Sequence, residues 1–261
     1  MALMQVDFFS ETLGMWTAMN VILPERARGQ IGMDQKTSGG KCPVLYLLHG
    51  MSDDHTIWLR RTSIERYAAD YGIAVVMPTT HLGWYTDMAI GHSYWTYLVE
   101  ELPAVCRQFF PGISQLREDT FAAGLSMGGF GALKCGLRAP ERFAAVASLS
   151  GAVHMALRFR QPPQEDASFW SDIFGPLDAF EGSFNDLYAA AGELKASEKP
   201  LPKIYMWCGT EDFLYEQNCM MNDRLQALGY DITFEQSPGD HQWKYWDAKI
   251  QDVLAWLPIK R

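Results

Sequence analysis

The sequence predicts an α/β fold: a mostly parallel central sheet with helices on both faces and a small cap insertion. Short, unbroken apolar runs recur at 43–48, 73–77, 143–149 and 203–208, as expected of strands buried on both faces. Segments of helical periodicity separate them, and strands alternating with helices imply parallel pairing with helices covering the sheet. The chain has 261 residues, of which 48% are hydrophobic and 20% charged, enough for one large α/β domain with a substantial core.

Residues 17–23 read as a strand, and 30–41, rich in Gly, Ser and Lys, as an exposed loop. The first buried strand is 43–48. Thr62-Ser63-Ile64-Glu65 has the form of a capping box opening a helix to about Tyr71. A second buried strand at 73–77 precedes a helical stretch at 93–110, which Pro103 is expected to kink. Thr120-Phe121-Ala122-Ala123 reads as a strand and Gly129 to Lys134 as the opening of a helix. After the strand at 143–149 the pattern changes. Residues 154–202 carry prolines, aromatics such as Phe159, Phe169, Trp170 and Phe180, and short helical pieces, and read as an insertion lying over the sheet. A strand at 203–208, a helix at 214–228, a strand at 232–236 and a closing helix at 245–257 complete the alternation. No repeat and no second core interrupt it, so residues 1–261 are expected to form a single domain.

The net charge of −9 disfavours nucleic acid, because an acidic surface repels phosphate. No apolar run is long enough to span a bilayer, and Met1 to Ser10 lacks the basic and apolar regions of a signal peptide. A cytoplasmic protein with no membrane partner is the expectation. The five cysteines (Cys42, Cys106, Cys135, Cys208 and Cys219) are odd in number and far apart, as for buried thiols in a reducing compartment. No pair has metal-ligand spacing. With no nucleotide or haem motif either, neither metal nor cofactor is expected.

Gly124-Leu125-Ser126-Met127-Gly128 is a G-x-S-x-G sequence standing between the strand and the helix of 120–134. Strand, tight turn and helix are the context of a nucleophile elbow, in which the serine sits strained at the apex and the glycines let strand and helix approach. An α/β-hydrolase then needs an acid and a histidine, in that order, after later strands. The strand at 203–208 runs into Gly209-Thr210-Glu211-Asp212. Asp212 is favoured as the acid, because the Gly209-Thr210 turn carries the chain out before the acid turns back, and Glu211 is the alternative. His241 alone among six histidines follows the last strand, where a general base belongs. Leu47-Leu48-His49-Gly50-Met51 ends a buried strand, where this fold supplies one oxyanion donor, so the backbone N–H groups of Met51 and Met127 are the candidate oxyanion hole. His49, also read as a structural residue fixing the loop by hydrogen bonds, and Gly50, together with Trp58, Trp84, Phe213 and Trp243, are the candidate substrate-binding residues. The aromatics among them would form an apolar pocket wall.

These segments resemble the esterase D-like serine hydrolases, and within them the bacterial tributyrin esterases. The matching pieces are Asn20 to Pro24, Leu47 to Met51, His81-Leu82-Gly83-Trp84-Tyr85-Thr86-Asp87, Gly124 to Gly129, Cys208 to Glu216 and His241-Gln242-Trp243, in that order across nearly the whole chain. The resemblance implies a carboxylesterase for short-chain acyl esters, working without a cofactor through Ser126, Asp212 and His241. It also implies an oligomer, since members are often oligomeric. Acylated sugars and aromatic acid esters are candidate substrates. The runner-up is S-formylglutathione hydrolase, a thioesterase. An acyltransferase of the antigen-85 type is less favoured, because those relatives are secreted. A non-catalytic binding module is disfavoured by the presence of all three triad residues.

Overall fold

The computed structural model describes residues 1–25, 31, 40–160 and 166–260. Most of the loop expected at 30–41, and 161–165 within the expected insertion, lie outside the described residues. Eight strands form one sheet: β1 (Ala2–Ser10), β2 (Met15–Leu23), β3 (Val44–Leu48), β4 (Ala74–Pro78), β5 (Thr120–Leu125), β6 (Ala145–Leu149), β7 (Lys203–Gly209) and β8 (Ile232–Ser237), in spatial order β1-β2-β4-β3-β5-β6-β7-β8. The six strands from β3 to β8 run parallel, whereas β1 and β2 form an antiparallel edge.

The apolar runs are continuous because the sheet has a core on each side. Along β3, Val44, Tyr46 and Leu48 join one cluster of buried residues, while Leu45 and Leu47 join the other. The first side is covered by α3 (Tyr94–Thr96), α4 (Leu102–Phe109), α5 (Met127–Arg138), α8 (Leu187–Lys195) and α9 (Tyr215–Ala227). The second is covered by α1 (Ile57–Arg61), α2 (Ile64–Ala69) and α10 (Trp243–Trp256).

One local expectation is corrected. The capping box does not form. Thr62 Oγ donates to the Trp58 carbonyl and accepts from the Ile64 amide, and Ser63 makes no side-chain cap bond. Thr62 instead closes α1, a helix too short to show a period in sequence. Pro103 lies inside one continuous helical run from Tyr94 to Phe109, with Glu101 and Leu102 both at helical dihedral angles, so its missing N–H interrupts the hydrogen-bond ladder as expected. The irregularity comes just before it, as a π-helical turn at Tyr97–Glu101. There the Glu101 carboxylate accepts from the Ser10 hydroxyl at 2.5 Å and the Glu11 amide at 2.8 Å, pinning the β1–β2 turn to the helical layer.

The 154–202 stretch contributes α6 (Met155–Phe159), α7 (Ala167–Phe174) and α8. Of these, α8 packs in the main layer beside α5 and α9. The aromatics of α6 and α7 pack on the loop after β4: Trp170 lies 5.0 Å from Trp84, ring to ring, and Phe174 lies 6.0 Å from it.

Candidate active site

Ser126 joins β5 to α5 with φ 53° and ψ −117°, a conformation that costs an L-residue strain. The surroundings enforce it. The Ser126 amide donates to the Leu149 carbonyl at 3.0 Å, and the Ser126 carbonyl accepts from Phe130 at 3.1 Å and Ala152 at 3.2 Å. The flanking glycines are needed for close approach. A Cβ on Gly124 would stand 2.4 Å from the Gly128 carbonyl oxygen, and one on Gly128 would stand 2.4 Å from that of Leu48.

The structure brings Ser126, His241 and Asp212 together from the C-terminal ends of β5, β8 and β7. His241 Nε2 lies 3.0 Å from Ser126 Oγ, and His241 Nδ1 lies 2.8 Å from Asp212 Oδ2. The Asp212 side chain is wholly buried, while that of His241 is about one-fifth exposed. Asp212 Oδ1 accepts from the Leu214 amide at 2.9 Å. Burial works to raise the Asp212 pKa, but the bonds from His241 and Leu214 outweigh it and hold the carboxyl below its ordinary value. With the carboxylate on Nδ1, the imidazole has Nε2 free to take the Ser126 proton.

Glu211 is placed elsewhere. Its exposed carboxylate accepts from the Gly239 amide and from Thr210 Oγ at 2.7 Å, fastening the loop that carries His241 rather than the imidazole itself.

Met127 is the first residue of α5, where helix amides lack intrahelical acceptors. Met51 follows β3, the neighbour of β5, and the α5 N-terminus presses on the Leu48 and His49 carbonyls. Neither the Met51 nor the Met127 amide has an acceptor among the described residues. Gly50 closes a turn here, its carbonyl accepting from Asp53 at 3.3 Å.

The expected pocket wall is only partly a wall. Phe213 is 76% exposed and its ring lies 4.6 Å from the His241 imidazole. Trp243 is half-buried and packs edge-on against Trp58 at 5.1 Å and Trp246 at 5.4 Å. The other two tryptophans are corrections, whereas His49 has the loop-fixing role expected of it beside its candidacy for the substrate. Trp58 is buried and spends its indole N–H on the Leu48 carbonyl at 3.0 Å. Trp84 is buried in the aromatic cluster with Phe130, Trp170 and Phe174. His49 is buried with both nitrogens engaged: Nδ1 donates to the Gly50 carbonyl at 2.7 Å and Nε2 accepts from the Thr80 amide at 3.0 Å. Burial pulls its pKa down to about 4. These three shape the site from behind, because the backbone turns that follow β3 and β4 need filled cores and satisfied carbonyls.

Sequence reasoning missed Trp246, whose ring lies 4.8 Å from that of His241 and whose N–H donates to Ser150 Oγ at 3.2 Å. It also missed Lys134, which is fully buried. A single lysine in the apolar run Phe130 to Leu137 was the available signal.

The arrangement suits nucleophilic acyl transfer: a strained serine, a histidine in reach, a buried carboxylate behind it, and free amides on two adjoining loops. Among the described residues no cluster of His, Cys, Asp or Glu could hold a metal ion, and no helix is long and apolar enough to cross a membrane.

Similar proteins carry the same architecture. An acetyl esterase of Caldicellulosiruptor saccharolyticus is 33% identical, the alignment covering 98% of each chain. The Staphylococcus aureus fluorophosphonate-binding serine hydrolase FphF superimposes with a TM-score of 0.87 at 35% identity, over 100% of this chain and 99% of that one. The S-formylglutathione hydrolase FrmB of the same organism gives 0.84 at 36% identity, over 98% of both chains. The Esterase family model matches residues 10–257, and on that match the chain belongs to the Esterase family, the esterase D-like serine hydrolases.

Proposed function

We propose that this esterase hydrolyses short-chain acyl esters with Ser126 as nucleophile, His241 as general base and acid, and Asp212 as the carboxylate that orients His241. The observation that carries the reading is the unbroken relay from Asp212 through His241 to a serine held at positive φ. Ser126 Oγ attacks the ester carbonyl carbon as its proton passes to His241 Nε2. The carbonyl oxygen becomes an oxyanion that the Met51 and Met127 amides receive. Collapse breaks the bond to the alcohol, which leaves with the proton from Nε2. Water, deprotonated by His241, then cleaves the acyl-enzyme, releasing the carboxylic acid and restoring Ser126. Asp212 stays ionised and steadies the imidazolium.

The short-acyl preference is supported by the similarity to the acetyl esterase, with the exposed Phe213 ring beside His241 as an apolar contact. Thioester hydrolysis is the second reading, favoured by the likeness to the staphylococcal S-formylglutathione hydrolase. A cytoplasmic setting is supported by the five cysteines, all free thiols. Self-association is proposed on the resemblance alone, and gel filtration with light scattering tests it.

The test is a panel of p-nitrophenyl esters from acetate to decanoate beside S-formylglutathione, with Ser126→Ala as control. Turnover peaking at two to four carbons is the expected result, and dominant thioester turnover would favour the second reading. Ser126→Ala should lose on the order of a millionfold in rate. Activity retained in that variant would overturn the mechanism.

A further inference from the structure

We propose that Lys134 is a positioning residue for the oxyanion hole, acting through Tyr85 on the loop that carries Met51. The inference rests on the esterase reading of Ser126.

Lys134 lies on α5, eight residues beyond Ser126. Its ammonium donates three hydrogen bonds: to the Tyr85 carbonyl at 3.0 Å, to Thr86 Oγ at 2.9 Å and to Asn185 Oδ1 at 2.6 Å. Three acceptors use all three protons of the ammonium. The rings of Trp95, Phe184 and Phe130 surround it, with centroids 4.8, 5.3 and 5.7 Å from Nζ. No carboxylate is in contact with it among the described residues. Burying a lysine is expensive: desolvation pulls its pKa down to about 7 even with the Asp87 charge favouring the ammonium, and an apolar side chain would fill the same space without that cost. The bonds are what the lysine adds.

Those bonds grip a strained segment. Trp84 and Tyr85 both have positive φ, 48° and 50°, conformations that persist only where the surroundings over-determine them. Lys134 holds the carbonyl of the second. The Tyr85 hydroxyl in turn donates to the His49 carbonyl at 2.8 Å, two residues before Met51. His49 braces the Gly50 carbonyl from the other side. The Met127 amide stands at the N-terminus of α5, and the Met51 loop is tied to the same helix two turns on, by way of Lys134 and Tyr85. One rigid element therefore sets the spacing of both oxyanion donors. A misplacement of an ångström at such a site costs far more in rate than in binding.

The experiment measures kcat and KM for Lys134→Met, Tyr85→Phe and the double variant on p-nitrophenyl acetate. Active sites are counted by fluorophosphonate titration, so that unfolded protein does not enter kcat. The expected result is a kcat per active site reduced about 10- to 100-fold in each single variant, with KM within about twofold. The double variant should be no slower than the slower single, because both changes cut one relay. A kcat per active site equal to wild type in Lys134→Met, or losses that multiply in the double variant, would overturn the proposal. Should Lys134→Met fail to fold, Tyr85→Phe decides alone, since the relay requires its kcat to fall. Failure of the relay is distinguishable from failure of the esterase reading, because only the latter leaves Ser126→Ala active.

Discussion

The phenyl ring of Phe213 lies 4.6 Å from the imidazole of His241 although three-quarters of its surface is open to solvent. An apolar ring held beside the base and left uncovered is a contact surface for something that arrives. It follows directly on Asp212, so the strand end that orients His241 also supplies this surface.

Phe213→Ala should therefore raise KM for butyrate esters several-fold while leaving kcat within about threefold, since the ring contributes apolar area rather than a bond made in the transition state. Acetate esters, with less acyl surface, should respond less. Steady-state kinetics on the two substrates decides it, and an equal response would place the acyl chain elsewhere.

Asp212→Asn should lower kcat about ten-thousandfold by stabilising the wrong tautomer of His241. Glu211→Gln should cost under about tenfold, through a looser Gly239 loop. If Glu211→Gln is the more damaging change, the two neighbours have been assigned in reverse.

His49 titrates at about 4 in the folded protein because burial penalises its charged form, against about 6.5 in an unfolded chain. Between these values the unfolded state binds more protons than the folded state, so stability falls as pH falls. The contribution is complete above about pH 6.5 and is lost as pH drops through about 4, amounting to about 3 kcal/mol. Urea titrations at pH 7 and pH 4.5 should show His49→Gln losing less stability across that interval than wild type. An unchanged difference would mean that His49 does not contribute to acid sensitivity.

Trp58→Phe should destabilise by about 1–3 kcal/mol, through the orphaned Leu48 carbonyl and the smaller ring, with kcat within about twofold. Thermal melts beside kinetics test this. A large rise in KM would return Trp58 to the pocket wall.

The fold was legible where one physical signal dominated. Unbroken apolar runs marked β3, β4, β6 and β7, because each has core on both faces. β1 was invisible: its residues alternate between half-buried and exposed from Ala2 to Asp7, and Phe9 and Leu3 face outward. Chain order alone singled out Ser126, Asp212 and His241, and the structure places the three side chains in hydrogen-bond contact. Order could not tell a tryptophan in a pocket from one behind it. Trp58 and Phe213 are both aromatics near strand ends, but only the indole N–H had a backbone carbonyl to reach. The capping box at Thr62 failed for a similar reason, since a competing acceptor on the preceding helix claimed the hydroxyl.

β8 is the last strand of the sheet and has a neighbour on one side only. His241 hangs from the loop that follows it, whereas Ser126 hangs from β5 at the centre. Edge strands open locally at lower free energy than central ones. On warming, the base should detach from an intact nucleophile, so that hydrolysis ceases below the temperature at which the central sheet melts. Cooling should restore it without refolding. The thermal limit of the catalyst is then set by one border of its scaffold, and reinforcing the contact between β8 and α10 would raise that limit without touching the core.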